Sequence, residues 1–93
     1  MNAPTESDTV LRAILRDVLG LPPAQAAAMR ADSELFGALP ELDSMAVAGL
    51  LTEIEDRLHF HIDDDEVDGE MLETFGSLLA FVEAKRAAAA RAR

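Results

Sequence analysis

The sequence predicts an all-α fold, a small bundle of three main helices plus one short helix, on three observations. Apolar residues recur at spacings of three and four in three separate segments. No segment sustains a two-residue alternation. A serine, threonine or aspartate stands where each of these helices should be capped. The 93 residues suffice for one domain with a thin core, since a chain this short buries only about 60–65% of its unfolded surface. Residues 1–93 are read as a single domain, folded over 8–86, with 87–93 a frayed tail. Alanine runs at 24–28 and 87–90 inflate the hydrophobic fraction of 49%. Alanine contributes little on burial, so the core must come from Leu, Ile, Val, Met and Phe.

In the first helix Val10, Leu11, Ile14, Leu15, Val18 and Leu19 lie on one continuous face. Ser7 or Asp8 is the expected cap, and Gly20 followed by Pro22 and Pro23 ends the helix. Residues 22–40 form a long connection, with a helical turn across the alanines at 24–28 and the Leu35-Phe36 pair pinning it to the bundle. The second main helix opens at Asp43-Ser44, with Asp43 as N-cap and Ser44 at the first helical position. Met45, Val47, Ala48, Leu51, Ile54 and Leu58 form its expected inward stripe. Gly49 costs about 1 kcal/mol of helix propensity, so it either marks a close approach by another backbone or is simply tolerated. Asp63-Asp64-Asp65-Glu66 begins a short acidic helical element that ends near Gly69 and complements the helix dipole. Thr74 caps the last helix, in which Phe75, Leu78, Leu79 and Val82 face inward, and the alanine-rich end has no apolar stripe to hold it.

Composition excludes several classes of function. There is no cysteine, hence no disulfide, no thiolate nucleophile and no cysteine-ligated zinc, which fits a reducing, cytoplasmic setting. The first apolar segment is interrupted by Arg12, Arg16 and Asp17 and preceded by acidic residues, so it reads neither as a signal peptide nor as a membrane span. Eighteen acidic against eight basic residues give a net charge of −10. Nucleic acid and anionic membranes are therefore poor partners, and basic protein surfaces are favoured. Between Glu41 and Glu73 there are twelve carboxylates and a single arginine, Arg57.

Catalytic and metal readings fail on spacing. A triad of Ser44, His59 or His61, and Asp63 would need atoms within about 3 Å. A helix over 44–58 instead places His59 roughly 22 Å along the axis from Ser44. His59 and His61, with Asp63 nearby, lack a convincingly spaced third ligand. The run from Asp64 to Gly69 imitates a calcium loop, but its twelfth position is Phe75 instead of a bidentate glutamate. What remains is a hydroxyl at a helix start, easily reached by another protein and poorly equipped to catalyse: a place of attachment. Asp32-Ser33 repeats the dipeptide without the long amphipathic helix behind it.

From Val10 to Lys85 the order of features resembles the acyl carrier proteins and their aminoacyl and peptidyl relatives. It comprises an amphipathic first helix, a loop with Leu35-Phe36-Gly37, Leu42-Asp43-Ser44-Met45 opening the second helix, Ile62 before an acidic short element, and Thr74 before a closing helix. The resemblance implies that Ser44 accepts 4′-phosphopantetheine from coenzyme A and that the arm's thiol carries acyl groups as thioesters. It implies as partners a phosphopantetheinyl transferase, an acyl-loading ligase or transferase, and pathway enzymes with basic docking surfaces, with the carrier acting as a monomer and catalysing nothing itself. Glu41, Asp43, Met45, Glu53, Glu55 and Asp56 are the expected partner-recognition residues. Housekeeping fatty-acid carriers place acidic residues two and five positions after the serine, where this chain has Ala46 and Gly49. That departure points to a discrete carrier of a specialised pathway, with a D-alanyl-like aminoacyl carrier or a peptidyl carrier as the alternative. An unmodified acidic helical adaptor for a basic partner is the reading from a different class.

Overall fold

The computed structural model describes residues 5–91. They form α1 (Glu6–Leu19), α2 (Pro23–Ala28), α3 (Ser44–Leu58), a 3-10 turn (Asp64–Glu66) and α4 (Phe75–Arg91). Among the described residues the sole β-type pairing is an isolated antiparallel bridge between Glu34 and Thr74. The all-α expectation holds, with three long helices and two short helical pieces.

α1 packs against α2, α3 and α4, so its apolar face is the centre of the bundle. Leu11, Ile14 and Leu15 of α1, Leu50 and Ile54 of α3, and Phe75, Leu78 and Val82 of α4 are almost wholly removed from solvent. The cap of α1 is Thr5, whose hydroxyl accepts from the Asp8 amide at 3.1 Å, and neither Ser7 nor Asp8 fills that role. Ser7 is instead buried inside the first turn and accepts from the Arg86 guanidinium of α4 at 2.9 Å. Gly20 ends α1 in the left-handed conformation that glycine adopts at no steric cost. Pro23 then opens α2, where a missing N–H is no loss.

The long connection after α2 is not loose. Four backbone hydrogen bonds of 2.8–3.0 Å stitch it to the segment leading into α4: Leu35 N to Glu73 O, Phe36 N to Leu72 O, Phe75 N to Ser33 O, and Gly76 N to Ala31 O. Gly76 is needed there, since a Cβ would stand 2.7 Å from the Ala31 carbonyl oxygen. Gly49 shows no such approach; its nearest neighbour would be a Val18 side-chain methyl at 3.8 Å, so that glycine is simply tolerated and the close backbone approach falls at Gly76 instead. Arg12 locks the other side of the connection. Its guanidinium donates to the carbonyls of Ala26, Ala27 and Met29, pairs with Asp8 at 2.6 Å, and lies over the Phe75 ring at 4.5 Å. Of the Leu35-Phe36 pair, only Leu35 is buried; Phe36 turns outward.

Two further expectations change. The acidic element is a single 3-10 turn that stops at Glu66, not near Gly69, because the Glu66 carboxylate folds back onto the Asp63 amide at 2.8 Å and is held by Lys85 at 2.9 Å. These contacts keep the Glu66 carboxyl below its ordinary value, the amide of Asp63 first and Lys85 second. At the other end α4 continues through Arg91: alanine has the highest helix propensity, and Arg86 ties the helix to Ser7 and Glu6 of α1. Residues 92–93 of the expected frayed tail lie outside the described residues.

Candidate functional site

Ser44 is the first residue of α3, and its position is set by the two residues before it. Leu42 is buried and bonded through its amide to the Leu39 carbonyl at 3.0 Å, which anchors the chain entering the helix. Asp43 is the N-cap: its carboxylate accepts from the Ala46 amide at 2.8 Å, and its carbonyl accepts from the Val47 amide at 2.9 Å. The amides of Ser44 and Met45 precede the first intrahelical bond and point past the helix end. Ser44 itself is exposed, and its hydroxyl makes no hydrogen bond among the described residues. No acidic residue occupies the first turn of α3. Free amides, the positive end of a 15-residue helix and an unencumbered hydroxyl together suit a phosphodiester.

Two open depressions meet at Ser44 and share Val47 and Val67 as walls. One, of about 460 Å³, runs along α3 past Leu51 to Thr52, Glu55 and Asp64. The other, of about 340 Å³, leads toward Phe36, Asp68 and Leu72.

The histidines do not join the serine. His59 ends α3 in a left-handed conformation, with its amide bonded to the Glu55 carbonyl. His61 stands between Glu55, at 3.1 Å, and Asp63, at 3.0 Å. Among the described residues no group of three His, Cys, Asp or Glu is arranged to hold a metal ion.

The expected recognition residues divide into free and engaged groups. Glu41 and Asp56 are exposed and make no ion pair among the described residues. Met45 is 86% exposed, which removes it from the inward stripe where the periodicity put it; Ala48 is exposed as well. The helix turns Leu50 and Ile54 inward, and Met45, nine residues before Ile54, falls about half a turn away. Asp43 is engaged as the cap. Glu53 is half-buried and bonded to Arg57 at 2.7 Å, and Arg57 also reaches Asp17 of α1 at 2.9 Å. That bridge lowers the Asp17 carboxyl and raises the Arg57 guanidinium, each chiefly through the hydrogen bond they share. Glu55 accepts from the Ile62 amide at 2.7 Å and holds the turn after α3. The sequence reading missed Phe36, Thr52, Asp64 and Val67 beside Ser44. Of these, Phe36 carries a sequence signal as a large apolar residue in a connection and Asp64 as part of the acidic run, but neither signal places the residue beside Ser44.

An exposed serine thus opens a helix whose opposite face is buried in the core. The chain matches the family described as "Phosphopantetheine attachment site" over residues 9–82, and it belongs to that family. Among solved structures it is similar to the holo acyl carrier protein of Nitrosomonas europaea, determined in solution by NMR. The two are 42% identical with a TM-score of 0.80, over 89% of this chain and 99% of that one. No curated protein matches the chain. As a member of the family the protein uses 4′-phosphopantetheine, covalently attached, and works with a phosphopantetheinyl transferase and pathway enzymes. No helix among the described residues is long and apolar enough to cross a membrane.

Proposed function

We propose that Ser44 is the attachment residue and that this single-domain protein is a monomeric, cytoplasmic, non-catalytic carrier serving a specialised biosynthetic pathway. The observation that supports this reading is the exposed Ser44 hydroxyl at the N-terminus of α3, with unbonded amides beside it. In the transfer the hydroxyl oxygen forms a bond to the phosphorus of coenzyme A that bears the pantetheine. The bond between the two phosphates breaks, the adenosine bisphosphate leaves, and the serine proton passes to a base of the transferase. The attached arm supplies a terminal thiol for thioester formation, a group this cysteine-free chain lacks. The Ser44 and Met45 amides hold the phosphodiester, while Asp43 and Leu42 keep the helix start in place.

The free carboxylates Glu41 and Asp56, with the outward Met45, are the groups best placed to meet an enzyme's basic and apolar patches. Asp43, Glu53 and Glu55 contribute field more than direct contact, because each is already bonded within the chain. The absence of acidic residues at Ala46 and Gly49 supports partners other than ordinary fatty-acid synthase enzymes.

The test is to incubate the protein with coenzyme A, magnesium and a broad-specificity phosphopantetheinyl transferase and weigh it. One arm is expected on the wild type and none on Ser44→Ala. No gain with several transferases, or a gain that survives Ser44→Ala, overturns the assignment.

A further inference from the structure

The chain holds four methionines and no cysteine, so before an arm is attached its sulfur is all thioether. The fold treats the described methionines unequally. Met29 and Met71 belong to the core, at 8% and 7% exposure, whereas Met45 is 86% exposed. Met45 follows Ser44 directly in α3, with about 3.8 Å between their Cα atoms. The buried residues of α3 are Leu50 and Ile54, so the core gains nothing from this side chain. A transferase that brings coenzyme A to the Ser44 hydroxyl has to cover it.

An exposed thioether is open to oxidation by a peroxide, and exposure decides which methionine reacts first. The sulfur lone pair attacks one peroxide oxygen, the O–O bond breaks and an S–O bond forms. The proton of the transferred oxygen passes to the leaving hydroxide, which departs as water; sulfur loses two electrons and the peroxide gains them. The product replaces a flexible apolar side chain with a polar, chiral one. At Met29 or Met71 that change would disrupt the core. At Met45 it leaves the fold intact and alters only the surface beside Ser44. Pressing a sulfoxide against an apolar patch of an enzyme removes its hydration without supplying a donor, which is unfavourable.

We infer that Met45 is a redox-sensitive modification site: its oxidation to the sulfoxide by a peroxide hinders the transferase at Ser44, and its reduction restores access. The inference rests on Ser44 bearing the arm and on Met45 meeting the enzyme. In the return step a sulfoxide reductase removes the oxygen as water while two thiols are oxidised to a disulfide.

The test treats the unmodified protein with hydrogen peroxide, removes the peroxide, and follows arm transfer from coenzyme A by mass. Peptide mapping should find oxygen added at Met45 about ten-fold faster than at Met29 or Met71. The protein oxidised at Met45 should accept the arm about five- to ten-fold more slowly, with its urea midpoint unmoved. Methionine sulfoxide reductases for both epimers, with dithiothreitol, should restore the rate. Met45→Leu, which keeps an apolar side chain and loses the sulfur, should transfer at one rate before and after peroxide. Met29 or Met71 oxidising as fast as Met45, a fallen urea midpoint, or an undiminished transfer rate overturns the inference while the carrier reading stands. So does a loss that the reductases do not reverse, or a peroxide effect that persists in Met45→Leu. No mass gain on the untreated protein overturns the carrier reading and this inference with it.

Discussion

Asp32-Ser33 and Asp43-Ser44 are the same dipeptide in the same chain, and the fold puts them to opposite uses. Ser33 is half-buried, its hydroxyl accepts from the Arg30 amide at 2.8 Å, and its carbonyl accepts from Phe75 at 2.8 Å. Its hydroxyl and amide close a turn on Arg30 within the α2–α3 connection, and its carbonyl fastens that connection to α4. At the second dipeptide Asp43 does the capping through its own carboxylate, which leaves the next hydroxyl exposed and unbonded. A serine becomes available for attachment when its neighbour satisfies the helix end in its place.

The largest expected effect is functional and all-or-none. Ser44→Ala should abolish modification, whereas Ser33→Ala should leave a single arm in the mass spectrum and cost about 1 kcal/mol in urea unfolding. Modification lost equally in both would erase the distinction between the two serines. Next comes the packing around the Ser33 stitch. Gly76→Val should destabilise by about 1–3 kcal/mol, because its Cβ would meet the Ala31 carbonyl. Gly49→Ala, with only a side-chain methyl at ordinary contact distance, should be neutral or stabilise by up to about 1 kcal/mol. Matching denaturation midpoints for the two variants would show that the stitch does not hold the connection as the geometry requires.

On the Ser44 side, Asp43→Ala should cost about 1 kcal/mol and slow arm transfer as the first turn frays. A transfer rate that stays put while stability falls would mean that the cap does not position the serine. Met45→Glu should change the unfolding free energy by less than about 0.5 kcal/mol while weakening association with the transferase. A large stability loss would put Met45 back in the core. The smallest effect concerns Glu66, whose carboxyl lies below its ordinary 4.5. A lowered value means stability that is full above 4.5 and lost as pH falls through the folded value. Thermal melts of Glu66→Gln should therefore differ from wild type at neutral pH and converge with it in acid. A gap that persists in acid would assign the loss to packing.

The helices, their number and the capping aspartate were legible because each is a local matter: a spacing of three and four, a side chain reaching an amide three residues on. The position of Ser44 at a helix start, and through it the attachment reading, came from the same local signal. Rotation of α3 about its axis was not legible. The stripe through Met45 and Ala48 and the one through Leu50 and Ile54 both satisfy the period, and only packing on α1 chooses between them. For the same reason Phe36 reads as buried beside Leu35 in the sequence and turns outward in the fold.

Three short-range pairings were therefore determined by the sequence alone: Asp43 and its amide, Gly20 ending α1, and Thr74 capping α4 by accepting from Ser77. The α1 cap, with several hydroxyl and carboxyl groups competing nearby, fell at Thr5 instead. The tertiary structure decided which charges remain free. Arg57 crosses 40 positions to Asp17 and Arg86 crosses 79 to Ser7, and Glu55 is spent on a turn that exists only once α3 has ended. The physical reason is that a helix's period and caps are satisfied within a few residues. The partner of a surface charge, and the face a helix turns inward, depend on which distant segment folding brings beside it.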